Sequence, residues 1–255
     1  RAILHPVKSS DSRGIAFSAL GRRAAPPTIA RLMSMTLENP RLLSLAAGFT
    51  DTSTLPVSAV QAAVAALAAL PGVPEYLQYG NNQGRPELRR LLAERLCSQE
   101  PGIDVGAVRR DMFITNGSQQ ALYLAMQVLC EPGDIVLVDR PSYFVYLEML
   151  AGLGVNVRSL PVDARGLIDA SALRQLLHSL QADGSADRLR AVYFVSYFSN
   201  PSGRSLTVEE KNAVATELAA AGLFVPVVED AAYRELHYRE PVTAPGVLSL
   251  PAWSE

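Results

Sequence analysis

Short apolar segments alternate along the chain with segments of helical periodicity, and this alternation limits the possible folds more than any other feature. The apolar segments lie at residues 112–115, 135–138, 155–160, 191–195 and 224–228. Helical spacing lies between them, at residues 118–130, 143–150, 170–180 and 207–221. Strands that are apolar throughout are typical of a parallel sheet covered on both faces. The pattern therefore predicts a three-layer α/β/α fold with a mostly parallel sheet.

The first part of the chain has a less regular pattern. Residues 1–50 are rich in Arg, Ser and Pro and predict an arm with one short helix near residues 28–37. An alanine-rich segment at 57–70 predicts a packed helix, and Pro86 opens another helix that runs to about residue 97. Near the other end, Thr207 and Glu210 have the spacing of a capping box, which predicts the start of a helix that stops at Gly222.

Composition and charge argue against several classes of partner. About half of the 255 residues are apolar, and the net charge of −2 is spread without long runs of one sign, so we expect no nucleic-acid partner. No segment reaches the ~18 apolar residues of a membrane span. Cys97 and Cys130 lie in helical apolar patterns, and the histidines lack metal-ligand spacing, so we expect no disulfide and no metal site. A cytoplasmic location is the default expectation.

The residues that follow the first two apolar segments suggest a ligand site. Binding sites of parallel sheets lie beyond the carboxyl ends of the strands. Gly117 follows the first segment and allows close approach of a ligand to the backbone. The free N–H groups of Ser118 and Gln119, at the start of a helix, can bind an anion. Tyr143 follows the second segment and can stack on a flat ring. A plain helix cap and ordinary packing are the simpler alternatives.

The ends of the last two apolar segments carry amide and carboxylate side chains. Asn200 precedes a proline and can hydrogen-bond a phenolic oxygen or a carboxylate. Asp230 is expected to point into the crevice, where a carboxylate can keep a pyridine nitrogen protonated. Tyr233 comes three residues later and can reach the phenolic oxygen of such a ring. A turn at Asn200 and a solvated strand end at Glu229 and Asp230 are the alternatives.

In this combination and order, the residues resemble the fold-type I, class I/II aminotransferases, in particular the branch with 2-aminoadipate and kynurenine aminotransferases. The resemblance covers almost the whole chain. It is carried by LSLAAGFTD (43–51), LQYGNNQGRPELRRLLAERL (77–96), ITNGSQQALYLAMQVLCEPGDIVLVDRPSY (114–143), SNPSGRSLTVEEK (199–211) and VVEDAAYREL (227–236). One departure is Asp230-Ala-Ala-Tyr233, where the family usually has a proline between the acid and the tyrosine.

The resemblance implies pyridoxal 5′-phosphate as the cofactor and assigns a role to each candidate residue. It also implies a homodimer with shared active sites, and cis peptide bonds before Pro141 and Pro201. In the family, the residues that correspond to Ser118 and Gln119 bind the phosphate, with Gly117 beside them, and the counterpart of Tyr143 stacks on the ring. The counterparts of Asn200 and Tyr233 bond the phenolic oxygen of the ring, and that of Asp230 pairs with its nitrogen. The counterpart of Tyr79 reaches the neighbouring subunit's cofactor, and those of Gly48 and Asn200 contact the substrate.

The family's Schiff-base lysine has no counterpart in this sequence. Lys8 lies in the N-terminal arm and matches no motif, and Lys211 lies on the predicted helix after Asn200, where we expect a solvated surface residue. The lysine is therefore expected after Glu255, which predicts no catalytic residue in this chain. We interpret residues 1–50 as an arm of a smaller domain and residues 51–255 as an incomplete cofactor-binding domain, inactive and poorly soluble alone.

Three functions remain open at this point. The leading hypothesis is transamination between an α-amino acid and a 2-oxo acid. The second keeps the cofactor but makes the enzyme a β- or γ-lyase. The third is the effector domain of a transcription regulator with an aminotransferase-like fold, which requires a DNA-binding segment upstream.

Overall fold

A four-stranded parallel sheet forms the centre of the structure, a computed structural model that describes residues 17–25, 28–39, 41–43, 50–71 and 73–253. The strand order is β2-β1-β3-β4, and every neighbouring pair is parallel. The sheet and the helices around it confirm the predicted α/β class. The strands are β1 (Ile135–Val138), β2 (Asn156–Ser159), β3 (Leu189–Val195) and β4 (Val227–Asp230).

Helices connect the strands and cover both faces of the sheet. The α-helices are α1 (Ala19–Arg23), α2 (Thr28–Glu38), α3 (Val57–Ala68), α4 (Pro86–Gln99), α5 (Val105–Asp111), α6 (Ser118–Leu129), α7 (Phe144–Leu153), α8 (Ala170–Ala182) and α9 (Val208–Ala220). Short 3₁₀ helices lie at Thr52–Thr54, Val73–Leu77, Ala186–Arg188, Val247–Ser249 and Pro251–Trp253. None of the described helices is long and apolar enough to cross a membrane.

Two hydrophobic cores, one on each face of the sheet, hold the three layers together. Successive residues of a strand point to opposite faces, so each buried strand contributes to both cores. On one face, Val192 and Phe194 of β3 pack with side chains of α8 and α9. On the other face, Ala191 and Tyr193 pack with side chains of α6 and α7. This division confirms the predicted three-layer architecture.

Local predictions from the sequence agree with the structure at the best-marked positions. The capping box of α9 is formed, because Thr207 Oγ1 accepts from the Glu210 N–H and the Glu210 carboxylate accepts from the Thr207 N–H. The peptide bonds before Pro141 and Pro201 are both cis, as the resemblance implied. The helix expected near residues 28–37 is α2. Helices α1 and α5 were not predicted, since the arm was expected to hold a single short helix, and the division at residue 50 stays a prediction.

Two predictions about the first half of the sequence are wrong. Residues 112–115 do not form a strand; the Ile114 N–H donates to the Gln83 carbonyl at 2.9 Å, and Phe113 is exposed. A strand needs a hydrogen-bonding neighbour, and within the described residues no strand lies beside this segment. The alanine-rich helix is present as α3, but it is not packed: none of its residues is buried, because no described element covers it.

Candidate cofactor site

The candidate site lies at the edge where the parallel strands of the sheet have their carboxyl ends. β4 ends at Asp230, which pairs in register with Val195 at the end of β3. Helix α6 begins at Ser118, and Ser118 and Asp230 line one cavity of about 290 Å³. Two residues predicted from separate segments, 112 positions apart in the sequence, thus share one cavity.

The start of α6 supplies unpaired backbone donors to this edge. Gly117 precedes the helix with φ of 82°, in the region that favours glycine, and no side chain caps the helix there. The first N–H groups of an α-helix have no acceptor within the helix, so those of Ser118 and Gln119 remain available. Since the helix dipole adds partial positive charge, this end can hold an anion such as a phosphate.

Asp230 is fixed by hydrogen bonds from two directions. Its Oδ2 accepts from the Tyr193 hydroxyl at 3.0 Å, and its Oδ1 accepts from the Ala232 N–H at 3.0 Å. Burial, together with the neighbouring Asp230 carboxylate, raises the pKa of Tyr193 far above its usual range, so this tyrosine stays protonated and donates. The Tyr193 ring also stacks on Tyr146, with ring centroids 3.8 Å apart.

Sequence reasoning missed Tyr193, although the sequence carries a signal for it. Tyr193 stands in the middle of a buried apolar strand, and a buried tyrosine hydroxyl usually finds a hydrogen-bond partner. The strand end at Asp230 is such a partner, but only the register between β3 and β4 brings the two together.

The residues predicted to contact the ring are Tyr143, Asn200 and Tyr233, and they differ in how they are connected to the rest of the site. Gln119 Nε2 donates to the Tyr143 hydroxyl at 3.2 Å, which links the start of α6 to the start of α7. Tyr143 and Tyr233 both pack against the core on the α6/α7 face. Asn200 follows β3, is partly buried, and its side chain makes no hydrogen bond within the described residues.

Two candidate residues lie apart from this arrangement. Tyr79 is almost fully exposed, in a polar loop that lines a different cavity together with Gln78 and Arg85. Such exposure leaves it available to a second molecule, but its predicted role there stays a prediction. Gly48 lies outside the described residues.

The expectation that Lys211 is a solvated surface residue is wrong. Its side chain is fully buried, and Nζ donates to Glu229 Oε1 at 2.8 Å. The physical reason is helical periodicity: Lys211 stands on the same face of α9 as Val214 and Leu218, which face the sheet. Glu229 is correspondingly not a solvated strand end, because its carboxylate is paired inside the protein.

These features fit a phosphorylated aromatic ligand. The α6 start can hold an anion, the Asp230 carboxylate can accept from a protonated ring nitrogen, and Tyr143 offers an aromatic surface beside them. Within the described residues, no group of three or more His, Cys, Asp or Glu side chains is arranged to hold a metal ion. Fold and site together define a doubly covered α/β protein with its site beyond the strand ends.

The chain belongs to the aminotransferases of class I and II, whose family model matches residues 40–251. It is 31% identical to aromatic-amino-acid aminotransferase 1 of Thermococcus litoralis over 238 residues, which cover 93% of this chain and 53% of that protein. It is 30% identical to 2-aminoadipate transaminase of Thermus thermophilus over 226 residues, covering 88% and 51%. The family resemblance seen in the sequence is therefore confirmed.

Solved structures show the same fold. The structure of Pyrococcus horikoshii kynurenine aminotransferase, in complex with PMP, kynurenine as substrate and kynurenic acid as product, matches with a TM-score of 0.73 and 26% identity. The match covers 89% of this chain and 55% of that one. The chain thus spans about half the length of the relatives it matches. The cofactor of this family is pyridoxal 5′-phosphate.

Proposed function

We propose that this chain forms part of an aminotransferase that uses pyridoxal phosphate to move an amino group between an α-amino acid and a 2-oxo acid. The observation that carries the proposal is the shared cavity, which Ser118 at the start of α6 and Asp230 at the end of β4 both line. The start of α6 can bind a phosphate and Asp230 can accept from a pyridinium nitrogen, and pyridoxal phosphate contains both groups.

Each candidate residue then has a defined task. When bound, the cofactor supplies an electron-withdrawing pyridinium ring that weakens bonds at the substrate's α-carbon. Asp230, oriented by the Tyr193 hydroxyl, holds a proton on the ring nitrogen. The α6 residues bind the phosphate through backbone N–H groups and the Ser118 hydroxyl. Tyr143 packs on the ring, while Asn200 and Tyr233 bond its phenolic oxygen.

Other parts of the proposal concern groups beyond the cavity. We propose that Tyr79 reaches the cofactor of a second copy in a homodimer, that Gly48 contacts the substrate together with Asn200, and that the enzyme is cytoplasmic. The lysine that binds the cofactor covalently is proposed to follow Glu255. The 255-residue chain alone should then bind the cofactor without transaminating, and activity from this chain alone would contradict that part.

Cofactor binding can be tested without any lysine by titrating the purified protein with pyridoxamine 5′-phosphate. We expect Asp230→Asn to weaken binding roughly tenfold or more, because a hydrogen bond to a charged group contributes about 1.5–3 kcal/mol. Glu235→Gln is the matched control, since it removes an exposed carboxylate five positions further along and should leave binding unchanged. Absence of binding by the unmodified protein would refute the proposal.

The reaction type needs a second measurement. We expect the protein that carries the lysine to produce a 2-oxo acid from an amino acid over many turnovers only when an acceptor 2-oxo acid is present, because a transaminase must pass the amino group to an acceptor before it can react again. Production over many turnovers without an acceptor would indicate a lyase. Binding of the cofactor without either activity, in a protein that carries a DNA-binding segment, would indicate a regulator.

A further inference from the structure

Lys211 is buried with partners on two separate segments. Its Nζ donates to Glu229 Oε1 at 2.8 Å and to the Pro245 carbonyl at 2.9 Å. The ammonium also lies 4.7 Å from the centre of the Tyr197 ring. A charge in this environment is tolerated only when it is paired and hydrogen-bonded, so the position of Lys211 is tied closely to that of Glu229.

Glu229 is held by three different parts of the protein. Besides the bond from Lys211 of α9, its Oε1 accepts from the Ser196 hydroxyl at 2.5 Å, just beyond the end of β3. Its Oε2 accepts from the Val247 N–H at 2.8 Å. Donors on both oxygens fix the rotation of the carboxylate as well as its place, and Glu229 stands immediately before Asp230.

Strand geometry connects the direction of Glu229 to that of Asp230. Successive side chains of a strand point to opposite faces, and Val227 and Val228 pack into the α8/α9 and α6/α7 cores respectively. Glu229 points to the same face as Val227, toward Lys211, whereas Asp230 points to the same face as Val228, toward Tyr193. β4 ends at Asp230, so the anchored Glu229 immediately precedes Asp230 in the last part of the strand, and both residues line the cavity.

A second buried ion pair extends this anchor to the segment after Asp230. Arg234 donates to Glu100, whose carboxylate also accepts from the Gly246 N–H and the Ser249 hydroxyl. The two ion pairs meet at Gly246, where an added Cβ would lie 2.7 Å from a Glu100 oxygen and 2.8 Å from a Glu229 oxygen. Substitution of Gly246 would thus disturb both carboxylates.

We propose that the Lys211–Glu229 ion pair is a positioning device, which holds the end of β4 so that Asp230 presents its carboxylate to the cofactor cavity. The inference rests on the proposed function, since it assigns Asp230 to the ring nitrogen. Stability alone is a poor explanation for the pair, because replacement of buried ion pairs by apolar residues of similar volume is often neutral or stabilising. Lys211 itself touches neither cofactor nor substrate in this scheme.

The test compares affinities for pyridoxamine 5′-phosphate and for its 1-deaza analogue, in which C–H replaces the ring nitrogen. The two ligands differ at the atom that Asp230 contacts, so a change in their affinity ratio between variants reports how well that carboxylate is placed. The unmodified protein should prefer the nitrogen-containing ligand by roughly tenfold or more. The double variant Lys211→Met/Glu229→Met should bind the deaza analogue as before and lose most of the preference. Lys211→Arg should retain it.

Glu217→Gln is the matched control, because Glu217 is also buried on α9 and is paired with Arg174 of α8 at 2.6 Å, away from β4. It should lower stability without changing the affinity ratio. If the double variant does not fold, Ser196→Ala carries the test: it keeps both charges, removes one donor to Glu229 and should reduce the preference about threefold.

The outcomes separate the two proposals. An unmodified protein that binds both ligands equally would refute the role of Asp230, and this inference with it. An unmodified protein with the preference, together with an unchanged preference in the double variant, would refute the positioning role alone. With an unfolded double variant, an unchanged preference in Ser196→Ala would do the same.

Discussion

Single side chains in this protein take their roles from partners that are distant in the sequence. Tyr193 and Asp230 are 37 positions apart, and the hydroxyl of the first orients the carboxylate of the second. Lys211 and Glu229 are 18 positions apart and form a buried ion pair. In both cases a polar residue on an otherwise apolar face was the sequence signal, because such a residue must find a partner inside the protein.

Asp139, which follows β1, gives a prediction about pH. Its carboxylate accepts from the Ser142 hydroxyl at 2.6 Å and from the Val195 N–H at 3.1 Å. Burial nevertheless raises the pKa of Asp139 to about 6, and these hydrogen bonds only partly oppose the shift. Between pH ~4 and ~6 the folded protein therefore binds more protons here than the unfolded chain, so this group lowers stability as pH rises through that window.

Asp139→Asn should remove this pH dependence. We expect the free energy of unfolding of the variant, relative to the unmodified protein, to rise between pH ~4 and ~6 by at most about 3 kcal/mol, since one pKa unit corresponds to about 1.4 kcal/mol. Urea denaturation across this range measures it. Asp163→Asn is a control of opposite sign, because a backbone hydrogen bond from Leu167 lowers the pKa of Asp163. If the difference in free energy of unfolding between Asp139→Asn and the unmodified protein does not change with pH, the prediction is contradicted.

At the level of elements, α9 shows how a local signal and tertiary packing combine. The capping box at Thr207 fixes where the helix begins, and its buried stripe carries both Lys211 and apolar residues onto the sheet. The Glu210 carboxylate of the same box also accepts from the Ile168 N–H at 3.0 Å and from Arg204 at 2.8 Å. A sequence motif for a helix start thus also joins two neighbouring loops.

Thr207→Ala should lower the free energy of unfolding by about 1 kcal/mol, because loss of an N-cap side chain costs about 0.5–2 kcal/mol. Urea denaturation of the purified protein measures the change. Thr216→Ala is the matched control: Thr216 is exposed on the same helix, and alanine has the higher helix propensity, so the effect should be neutral or slightly stabilising. Equal losses in the two variants would contradict a capping contribution.

The segment at 112–115 shows the limit of apolar patterns at the same scale. Its composition favours a strand, but a strand is stable only when a neighbour takes its backbone hydrogen bonds. The sheet formed by the described residues does not include this segment, and the Ile114 N–H donates to the carbonyl of Gln83 in a loop instead. The apolar segments that form strands are those that have another strand beside them.

At the scale of the whole molecule, α3 leaves a large apolar surface open. Val57, Val60 and Val64 are each more than half exposed, and no residue of the helix is buried. Exposed apolar surfaces of this kind drive association. We therefore expect the 255-residue chain to self-associate as its concentration rises, which sedimentation velocity measures.

Val60→Lys/Val64→Lys should reduce this association by breaking the apolar surface. Ser58→Lys/Gln61→Lys is the matched control, because it adds the same charge to the same helix but leaves the valines in place, and should have the smaller effect. A monomer at every concentration, with a cooperative thermal transition, would contradict both this prediction and the expected poor solubility.

Much of the candidate site could be predicted from the sequence, because the polar residues that suggest it stand at strand ends and helix starts. The motifs around Ser118, Asn200 and Asp230 each end an apolar run or begin a helix, and the parallel order of the strands places those ends at one edge. Tyr79 and Gly48 came from the family resemblance alone, and the structure described does not test their roles. The predicted three-layer fold was correct for the same reason, since it depends on local periodicity.

The sequence by itself determined where most helices and strands form and which class of fold they build, and it led to the prediction of which residues meet a phosphorylated ring. Only the tertiary structure decided which polar side chains are buried and with whom, as for Lys211 with Glu229 and Tyr193 with Asp230. The physical reason is the separation along the chain over which each effect acts. Periodicity and capping depend on neighbours within a few turns, whereas burial and pairing depend on the register of strands and the faces of helices that the folded chain brings together.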